Sequence, residues 1–219
     1  MKRKAIFIPV MVVVLFALLA GGYVYWQNGS RYLSTEDARI TGTIVKVSPE
    51  VPGKLTEITA EEGARVAEGT VVARQEPRNF SQSTLDLAAI KAPMTGVVVK
   101  KNASVGELAV PGQAILQMVD MESLYVQANI EETQIQKLRV GQPVDIAVDA
   151  FPDVKLTGRV MQIGVATQSV FSLLPATNTS GDFVKVVQRI PVKISLPRTQ
   201  LPLVPGMNTV VRIHVKQGK

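Results

Sequence analysis

The sequence predicts a mostly β protein in which one N-terminal transmembrane helix precedes a β-sandwich and a small β-barrel domain with one short helix. Three observations support this fold class. An uncharged apolar stretch occupies residues 6–26, a glycine spacing occurs twice in residues 47–118, and apolar and polar residues alternate in several segments of residues 119–219. Such alternation is typical of strands that bury one face, and a repeated hairpin unit is too small to fold alone.

The apolar stretch is long enough to cross a bilayer as a helix. Its 21 residues would span about 30 Å at a rise of about 1.5 Å per residue. Aromatic residues stand at its C-terminal end and basic residues precede it (Tyr23, Tyr25 and Trp26; Lys2, Arg3 and Lys4). The positive-inside rule therefore predicts a cytoplasmic tail at residues 1–5 and an extracytoplasmic location from residue 27 onward. A cleaved signal peptide is the competing interpretation, although its apolar core is usually only about 7 to 15 residues long.

Composition excludes several classes of function. The chain contains no cysteine, so disulfides, thiol catalysis, zinc–thiolate sites and lipid attachment to cysteine are excluded. From residue 27 onward it has 21 Lys and Arg (24 less the three before the apolar stretch) against 18 Asp and Glu, a net charge of +3. This part has neither a basic run nor basic residues interleaved with aromatic ones, and nucleic-acid binding therefore has no support.

Residues 47–118 contain two copies of one pattern, in which three glycines are ten and six residues apart (Gly53, Gly63 and Gly69; Gly96, Gly106 and Gly112). Each copy carries proline near its first glycine and apolar residues between its turns. Two related hairpin units of this kind are expected to pack together as a flattened β-sandwich, because neither can bury its apolar face alone. The stretch that joins the copies, at residues 78–89, is short.

This arrangement resembles the biotinyl/lipoyl domain, in which two quasi-symmetric halves form one small β-sandwich. The modified lysine of a carrier lies in the turn that joins the halves. Here residues 74–90 contain no lysine, and Lys91 stands in the sequence Ile-Lys-Ala instead of Met-Lys-Met or Asp-Lys. A swinging-arm carrier of an enzyme is therefore the weakest candidate function, and we expect Lys91 to be unmodified.

Residues 119–219 are expected to form the β-barrel domain, and residues 27–46 to supply a linker and a first strand. Strand patterns in the barrel domain occupy residues 124–130, 144–148, 156–165, 190–196 and 209–215. A short helix is predicted at residues 131–139, because acidic residues fill its first turn and basic residues its last turn, with Gly141 just after. Closure of about six strands into a barrel leaves no edge exposed.

No constellation of residues indicates catalysis, a metal ion or a cofactor. The only histidine, His214, lies on the last predicted strand, where it is expected to face solvent together with Arg212. Asp145, Asp149 and Asp153 are likewise expected on a solvated face, because their spacing lacks the loop glycine and closing glutamate of a calcium loop. A catalytic triad or a zinc site would require partners for His214 that the chain lacks.

An unusually long loop, residues 166–182, separates two strands of the barrel domain. It holds large apolar residues among serine, threonine, asparagine and glycine. Two interpretations are open: a lid that packs its apolar side chains on the barrel, or a surface that docks on a partner or an apolar ligand. Together with positions nearby and in the joining stretch, the candidate partner or ligand contacts are Phe171, Leu173, Leu174, Phe183, Phe80 and Leu85.

Four segments carry a more specific signal. They are residues 35–55 (TEDARITGTIVKVSPEVPGKL), 90–99 (IKAPMTGVVV), 171–194 (FSLLPATNTSGDFVKVVQRIPVKI) and 203–213 (LVPGMNTVVRI). They resemble the EmrA-type membrane fusion proteins, the HlyD-related periplasmic adaptors of drug exporters, and VKVVQRIPV at residues 184–192 is the most specific part. The resemblance implies an adaptor anchored in the inner membrane that is not an enzyme. It also implies a major-facilitator drug exporter as partner and a ring-shaped homo-oligomer.

The chain departs from this family at residues 78–89. EmrA-type adaptors carry a long α-helical hairpin between the two halves, and its tip reaches toward an outer-membrane channel. About a dozen residues cannot form two helices, because isolated helices below about 12 to 15 residues are marginal. Contact with an outer-membrane channel is therefore not expected. A natural short adaptor, a cell without a conventional outer membrane and an engineered deletion are the three explanations.

Two function classes follow from the sequence. The first is a membrane-anchored adaptor that couples an inner-membrane exporter to the extracytoplasmic export of drugs or other small molecules. The second is an anchored envelope-binding or regulatory module that uses the same β domains without a transporter. An exporter gene beside the gene for this chain would favour the adaptor.

Overall fold

The computed structural model describes residues 32–77, 87–171 and 187–215, together with residue 16. The predicted cytoplasmic tail and the rest of the predicted membrane span lie outside the described residues. None of the helices among the described residues has the length and apolar composition that a membrane crossing requires.

Strands are the main element of the described residues, which confirms the mostly β prediction. In chain order they are β1 (Tyr32–Thr41), β2 (Ile44–Val47), β3 (Gly53–Ile58), β4 (Arg65–Val66), β5 (Val71–Pro77), β6 (Ala89–Lys91), β7 (Gly96–Lys101), β8 (Leu108–Ala109), β9 (Leu116–Val119), β10 (Tyr125–Glu131), β11 (Pro143–Val148), β12 (Lys155–Ile163), β13 (Arg189–Ser195) and β14 (Asn208–His214). Two 3₁₀ helices lie at Glu132–Lys137 and Gln168–Phe171. The chain divides into two compact units, which we call the barrel unit (residues up to 39, 126–199 and from 207) and the sandwich unit (residues 40–125 and 200–206).

The sandwich unit consists of two four-stranded sheets, as the glycine repeat predicted. One sheet has the order β2-β9-β7-β4 and the other has the order β6-β5-β3-β8. Apolar side chains of both sheets form one buried core, which includes Leu55, Val72, Val98 and Met118. Each of these four side chains is almost completely removed from water, and such burial is the main favourable term in folding.

The two copies of the repeat exchange equivalent hydrogen bonds. The short strand β4 of the first copy pairs with β7 of the second, and β8 of the second pairs with β3 of the first. The Gly63 N–H donates to the Val98 carbonyl oxygen at 2.8 Å, and the Gly106 N–H donates to the Leu55 carbonyl oxygen at 2.7 Å. Neither copy is a separate sheet, because each contributes a strand to the other's sheet.

Glycine is required at the positions of the repeat for two different physical reasons. Gly63 and Gly106 have φ angles of 85° and 92°, in the region that residues with a Cβ rarely adopt. Gly53 and Gly96 are required by close packing, because a Cβ at either position would lie 2.7 Å or 2.6 Å from a carbonyl oxygen of the neighbouring strand. The recurrence of the glycine spacing therefore reflects the recurrence of one backbone path.

The barrel unit contains a closed six-stranded barrel with the order β1-β10-β13-β12-β11-β14. Strand β14 pairs antiparallel with both β1 and β11, and β12 pairs antiparallel with both β11 and β13. Residues that point into the barrel, every second one along a strand, are apolar and buried, as at Ile146, Ile194 and Ile213. The alternation seen in the sequence is therefore the alternation between the inside and the outside of the barrel.

The barrel unit is built from a different set of segments than expected. Strand β1, which the sequence placed in a linker and first strand at residues 27–46, closes the barrel by pairing with β14. Residues 200–206, which were expected in the barrel domain, belong to the sandwich unit. There the Gly206 N–H donates to the Ile40 carbonyl oxygen at 2.8 Å. The barrel is thus not confined to residues 119–219.

The predicted helix at residues 131–139 is present as a shorter 3₁₀ helix, Glu132–Lys137. Glu132 lies in its first turn and Lys137 in its last turn, in the predicted charge order. The helix stops because Leu138 adopts an extended conformation, with φ −88° and ψ 144°, and its side chain is buried. The second 3₁₀ helix, Gln168–Phe171, lies in the loop and was not predicted.

Candidate functional site

The structure describes the base of the long loop between β12 and β13. Most predicted contact residues lie outside the described residues, namely Leu173, Leu174, Phe183, Phe80 and Leu85. Phe171 is the last residue of the second 3₁₀ helix. The role of these six residues in contacts therefore stays a prediction.

Backbone hydrogen bonds tie both ends of the loop to the barrel. At the first end, the Gly164 N–H donates to the Pro191 carbonyl oxygen at 2.8 Å, and a Cβ on Gly164 would lie 2.7 Å from the same oxygen. At the second end, the Gln188 carbonyl oxygen accepts a hydrogen bond of 2.9 Å from the Glu132 N–H. The ends of the loop are thus held on neighbouring strands.

A polar cluster on β1, β10 and β13 lies beside the second end of the loop. We call Thr35, Asp37, Asn129 and Arg189 the Asp37 cluster. Arg189 donates from Nη1 to Asp37 Oδ2, and Asn129 donates from Nδ2 to Asp37 Oδ1 at 2.9 Å. Thr35 Oγ1 accepts from the Asp37 N–H at 3.1 Å and donates to the Asn129 carbonyl oxygen at 3.2 Å. The Asp37 carboxylate is therefore bound by side chains from two other strands, β10 and β13.

An irregularity in β1 gives the cluster its geometry. The register of β1 against β14 shifts between Thr35 and Ala38, and a bulge of this kind re-aims a side chain. Asn129 is buried, at 5% exposure, so its amide needs hydrogen-bonding partners. A small cavity of about 60 Å³ lies beside the cluster and is lined in part by Thr35, Asn129 and Arg189.

The Asp37 cluster connects two of the segments that carry the family resemblance. Thr35 and Asp37 lie in TEDARI, and Arg189 lies in VKVVQRIPV. Reasoning from the sequence missed the cluster, because the contact depends on which strands are neighbours in the barrel. The opposite charges of Asp37 and Arg189 were the only available signal.

The strands on either side of the short connection are hydrogen-bonded neighbours. Strands β5 and β6 pair antiparallel, with Arg74 opposite Ala89. Residues 78–86, between the described ends, lie outside the described residues. Lys91 is exposed and lies within β6, opposite Val71. A carrier lysine would instead lie in the turn between the two halves.

His214 has a partner that the alternating pattern did not reveal. Its Nε2 lies 2.8 Å from Asp145 Oδ2, and its ring meets the Tyr32 ring edge-on with centroids 4.9 Å apart. The side chains of His214 and Asp145 are 38% and 48% exposed. Both therefore lie on the outer surface, as expected, but as a pair on neighbouring strands and not as separately solvated groups.

A shallow cleft of about 260 Å³ lies in the sandwich unit and is lined in part by Arg65, Gly96 and Glu122. Arg65 and Glu122 form an ion pair of 2.9 Å, and their side chains are 69% and 59% exposed. Ligand sites usually bring a few polar groups together in an apolar pocket. This cleft offers one exposed ion pair, and no group of three His, Cys, Asp or Glu able to hold a metal ion occurs within the described ranges.

Two protein families match consecutive parts of the chain, and the boundary between the matches lies just after β9. Residues 43–121 match the family described as "RND MFP, barrel-sandwich hybrid domain". Residues 123–214 match the family described as "AAEA-like beta-barrel domain". The two matches together cover the described residues from 43 to 214 except residue 122, and strand β1 lies outside both matches.

One of two relatives extends this result to nearly the whole chain. The "Putative efflux system component YhbJ" of Bacillus subtilis (strain 168) is 37% identical over 92% of this chain and 88% of its own length. The "Multidrug export protein EmrA" of Escherichia coli (strain K12) is 42% identical over 59% of this chain and 34% of its own length. This chain belongs to the EmrA-type membrane fusion proteins. The family consists of efflux adaptors and not of enzymes.

Solved structures show the same fold. The structure of the periplasmic adaptor protein EmrA matches 85% of this membrane fusion protein and 99% of its own chain, with a TM-score of 0.56 and 15% identity. At that identity the likeness concerns the fold alone. The match to the Escherichia coli EmrA sequence spans only about a third of the length of that protein.

Proposed function

We propose that this membrane fusion protein is the anchored adaptor of an inner-membrane exporter and supports export of drugs or other small molecules. The observation that carries the proposal is the match to the Bacillus efflux component along nearly the full length of both chains. Relatives matched over less of their length are named for multidrug export, colistin resistance and fatty acid resistance. The chemical class of the exported compound differs among these names, so the proposal extends to small molecules in general.

The proposed anchor is the apolar helix at residues 6–26, with the N-terminus in the cytoplasm and both β units on the extracytoplasmic side. The basic residues before the helix and the aromatic residues at its end support this orientation. The proposed partner is an exporter of the major-facilitator type, and the proposed assembly is a homo-oligomeric ring. EmrA-type relatives are the support for both.

The proposed adaptor does not reach an outer-membrane channel through a helical hairpin. Only nine residues, 78–86, separate the described ends at the connection, and as one helix they would extend about 14 Å. The Bacillus relative is matched over 88% of its own length, which leaves little room for a hairpin there. A natural short adaptor is therefore favoured over an engineered deletion.

The proposed contact with the exporter is the apolar part of the long loop, at Phe171, Leu173, Leu174 and Phe183. Loops held on a rigid scaffold commonly carry binding residues. One base of this loop is hydrogen-bonded to Pro191 of β13, and the other is hydrogen-bonded to Glu132 and lies beside the Asp37 cluster. This is the kind of support that such a contact needs. Phe80 and Leu85 in the short connection are a second proposed contact of the same character.

Co-purification tests the function and the loop separately. An affinity-tagged exporter encoded beside this chain is co-expressed with the unchanged adaptor, with Leu173→Ser/Leu174→Ser/Phe183→Ser, and with the control Thr177→Ala/Asn178→Ala/Ser180→Ala in the same loop. We expect the unchanged and control chains to co-purify with the exporter and the apolar-to-serine variant to be largely lost.

Each failure points to a different error. Full retention of the apolar-to-serine variant would contradict the role of the loop and favour its interpretation as a lid. Failure of the unchanged adaptor to co-purify, with no loss of drug tolerance when its gene is deleted, would overturn the adaptor function. An anchored envelope-binding module without a transporter would then be the better assignment.

A further inference from the structure

Exposed apolar side chains of the barrel unit gather at one end of the barrel. Within the described part of this unit from residue 32 onward, the exposed large apolar side chains are Tyr32, Val140, Met161, Val165, Val170, Val187 and Val154. Single exposed apolar residues are normal on protein surfaces. Their grouping is informative, because contiguous apolar patches mark contacts.

Strand directions place six of the seven at the end where β1 begins, which we call the entry end (Tyr32, Val140, Met161, Val165, Val170 and Val187). Strand β14 ends opposite the beginning of β1, because the two strands are antiparallel. Strand β11 begins and β12 ends at the same end, because β11 is antiparallel to both β14 and β12. The turn before β11 and the loop after β12 therefore emerge there. Val154 lies between β11 and β12 at the opposite end.

The most prominent residues of the entry end are held on an ordered framework. Val165 is 103% exposed and Val140 is 64% exposed. Val140 lies in a turn whose next residue, Gly141, donates from its N–H to the Val160 carbonyl oxygen at 2.8 Å. Val165 follows Gly164, which is hydrogen-bonded to β13. The two valines are thus presented to solvent by backbone that is tied to the barrel.

Basic side chains lie around the turn that carries Val140. Lys137 and Arg139 precede it, and Arg159 donates from Nη1 to the Gly141 carbonyl oxygen at 3.1 Å. Two acidic residues, Glu131 and Glu132, also lie at this end. The turn at Val140 therefore combines an exposed valine with three basic side chains, a combination that favours the surface of an anionic bilayer.

We propose that the entry end contacts the extracytoplasmic surface of the phospholipid bilayer, with Val140 and Val165 in the headgroup region and Lys137 and Arg139 beside lipid phosphates. This inference rests on the anchor of the proposed function. Five residues, 27–31, separate the predicted membrane helix from β1, and fully extended they span at most about 18 Å. The end of the barrel at which β1 begins is thereby tethered close to the bilayer. Lipid is therefore the proposed partner of the exposed surface at this end.

The full chain allows a direct depth measurement, because it contains no cysteine. Val140→Cys, Val165→Cys and the control Val154→Cys are each labelled with bimane and reconstituted into vesicles of phosphatidylcholine and phosphatidylglycerol. Part of the lipid carries a nitroxide in its headgroup region. We expect quenching at positions 140 and 165 to exceed quenching at position 154 by at least about twofold, because only the entry end meets the headgroups.

A second pair of variants tests the charge. Lys137→Gln/Arg139→Gln, combined with Val165→Cys, is expected to reduce quenching in vesicles that contain phosphatidylglycerol and to have little effect in phosphatidylcholine alone. Lys155→Gln at the opposite end of the barrel is the control and should change neither. Equal quenching by the doubly substituted and unchanged chains in both lipids would overturn the phosphate contact.

Three further outcomes would overturn the proposal in different ways. Equal quenching at all three labelled positions in a chain that co-floats with the vesicles removes the bilayer contact and leaves the adaptor function intact. Failure to co-float removes both the anchor and this contact. Labels that are unquenched in lipid but become protected when the exporter is co-reconstituted would show that the entry end contacts protein instead.

Discussion

The ion pair between Asp37 and Arg189 is expected to contribute more to stability than an exposed pair of the same chemistry. The Asp37 side chain is 28% exposed and the Arg189 side chain is 50% exposed, and buried Asn129 donates to the same carboxylate. Exposed ion pairs contribute about 0.2–1 kcal/mol, and hydrogen bonds to charged groups about 1.5–3 kcal/mol. We therefore expect Asp37→Ala to lower the free energy of unfolding by about 2 kcal/mol, with about 1 kcal/mol of it coupled to Arg189.

A double-mutant cycle measures the coupling, with Arg65 and Glu122 as the matched control. The control pair is also an Arg–carboxylate contact, at 2.9 Å, but its side chains are 69% and 59% exposed. Urea unfolding of the full chain in detergent, followed by far-UV circular dichroism, gives the free energies for the single and double alanine variants. We expect a coupling energy below about 0.5 kcal/mol for the control pair, and salt should weaken it more strongly.

The outcome that refutes the reasoning is a coupling energy that does not differ between the two pairs. In that case partial burial and the shared carboxylate would not strengthen the Asp37 pair. A large effect of Asp37→Ala without coupling to Arg189 would assign the stabilisation to Asn129 and Thr35 alone.

Three other predictions concern positions outside the Asp37 cluster. Gly158→Ala should lower the free energy of unfolding by more than about 2 kcal/mol, because a Cβ there would overlap the Ser195 carbonyl oxygen; an unchanged melting temperature would contradict this. His214→Gln should change the free energy of unfolding by less than about 0.5 kcal/mol, since the pair with Asp145 is partly exposed. The same variant should co-purify with the exporter as the unchanged chain does. Loss of co-purification would give the pair a role in binding. Intact-protein mass spectrometry should find Lys91 unmodified, and a mass increase equal to a biotinyl or lipoyl group would restore the carrier hypothesis.

The sandwich was predictable from the sequence because its turns impose local demands on particular residues. Gly63 and Gly106 are needed at positive φ, and Gly53 and Gly96 are needed where two backbones approach closely. Both demands act on single residues and leave a visible spacing in the chain. The repeat therefore predicted two equivalent hairpin units before any long-range contact was known.

The barrel was only partly predictable. Alternation identified β10 to β14 within one or two residues, because the inside of the barrel selects apolar residues at every second position. It could not show that β1 closes the barrel, since β1 and β14 lie at opposite ends of the sequence. The helix at residues 131–139 was also overestimated, because burial of Leu138 ends it early.

By itself the sequence determined the two β units, the short connection between the halves of the sandwich and the family to which the chain belongs. These features depend on local backbone requirements, on alternation within single strands and on the length of one segment. Only the tertiary structure decided that Asp37 meets Arg189 and Asn129, that His214 meets Asp145, and that the exposed Val140 and Val165 share one end of the barrel. Each of these depends on which strands are neighbours and in what register, and the free energy that sets the register is spread over the whole closed barrel.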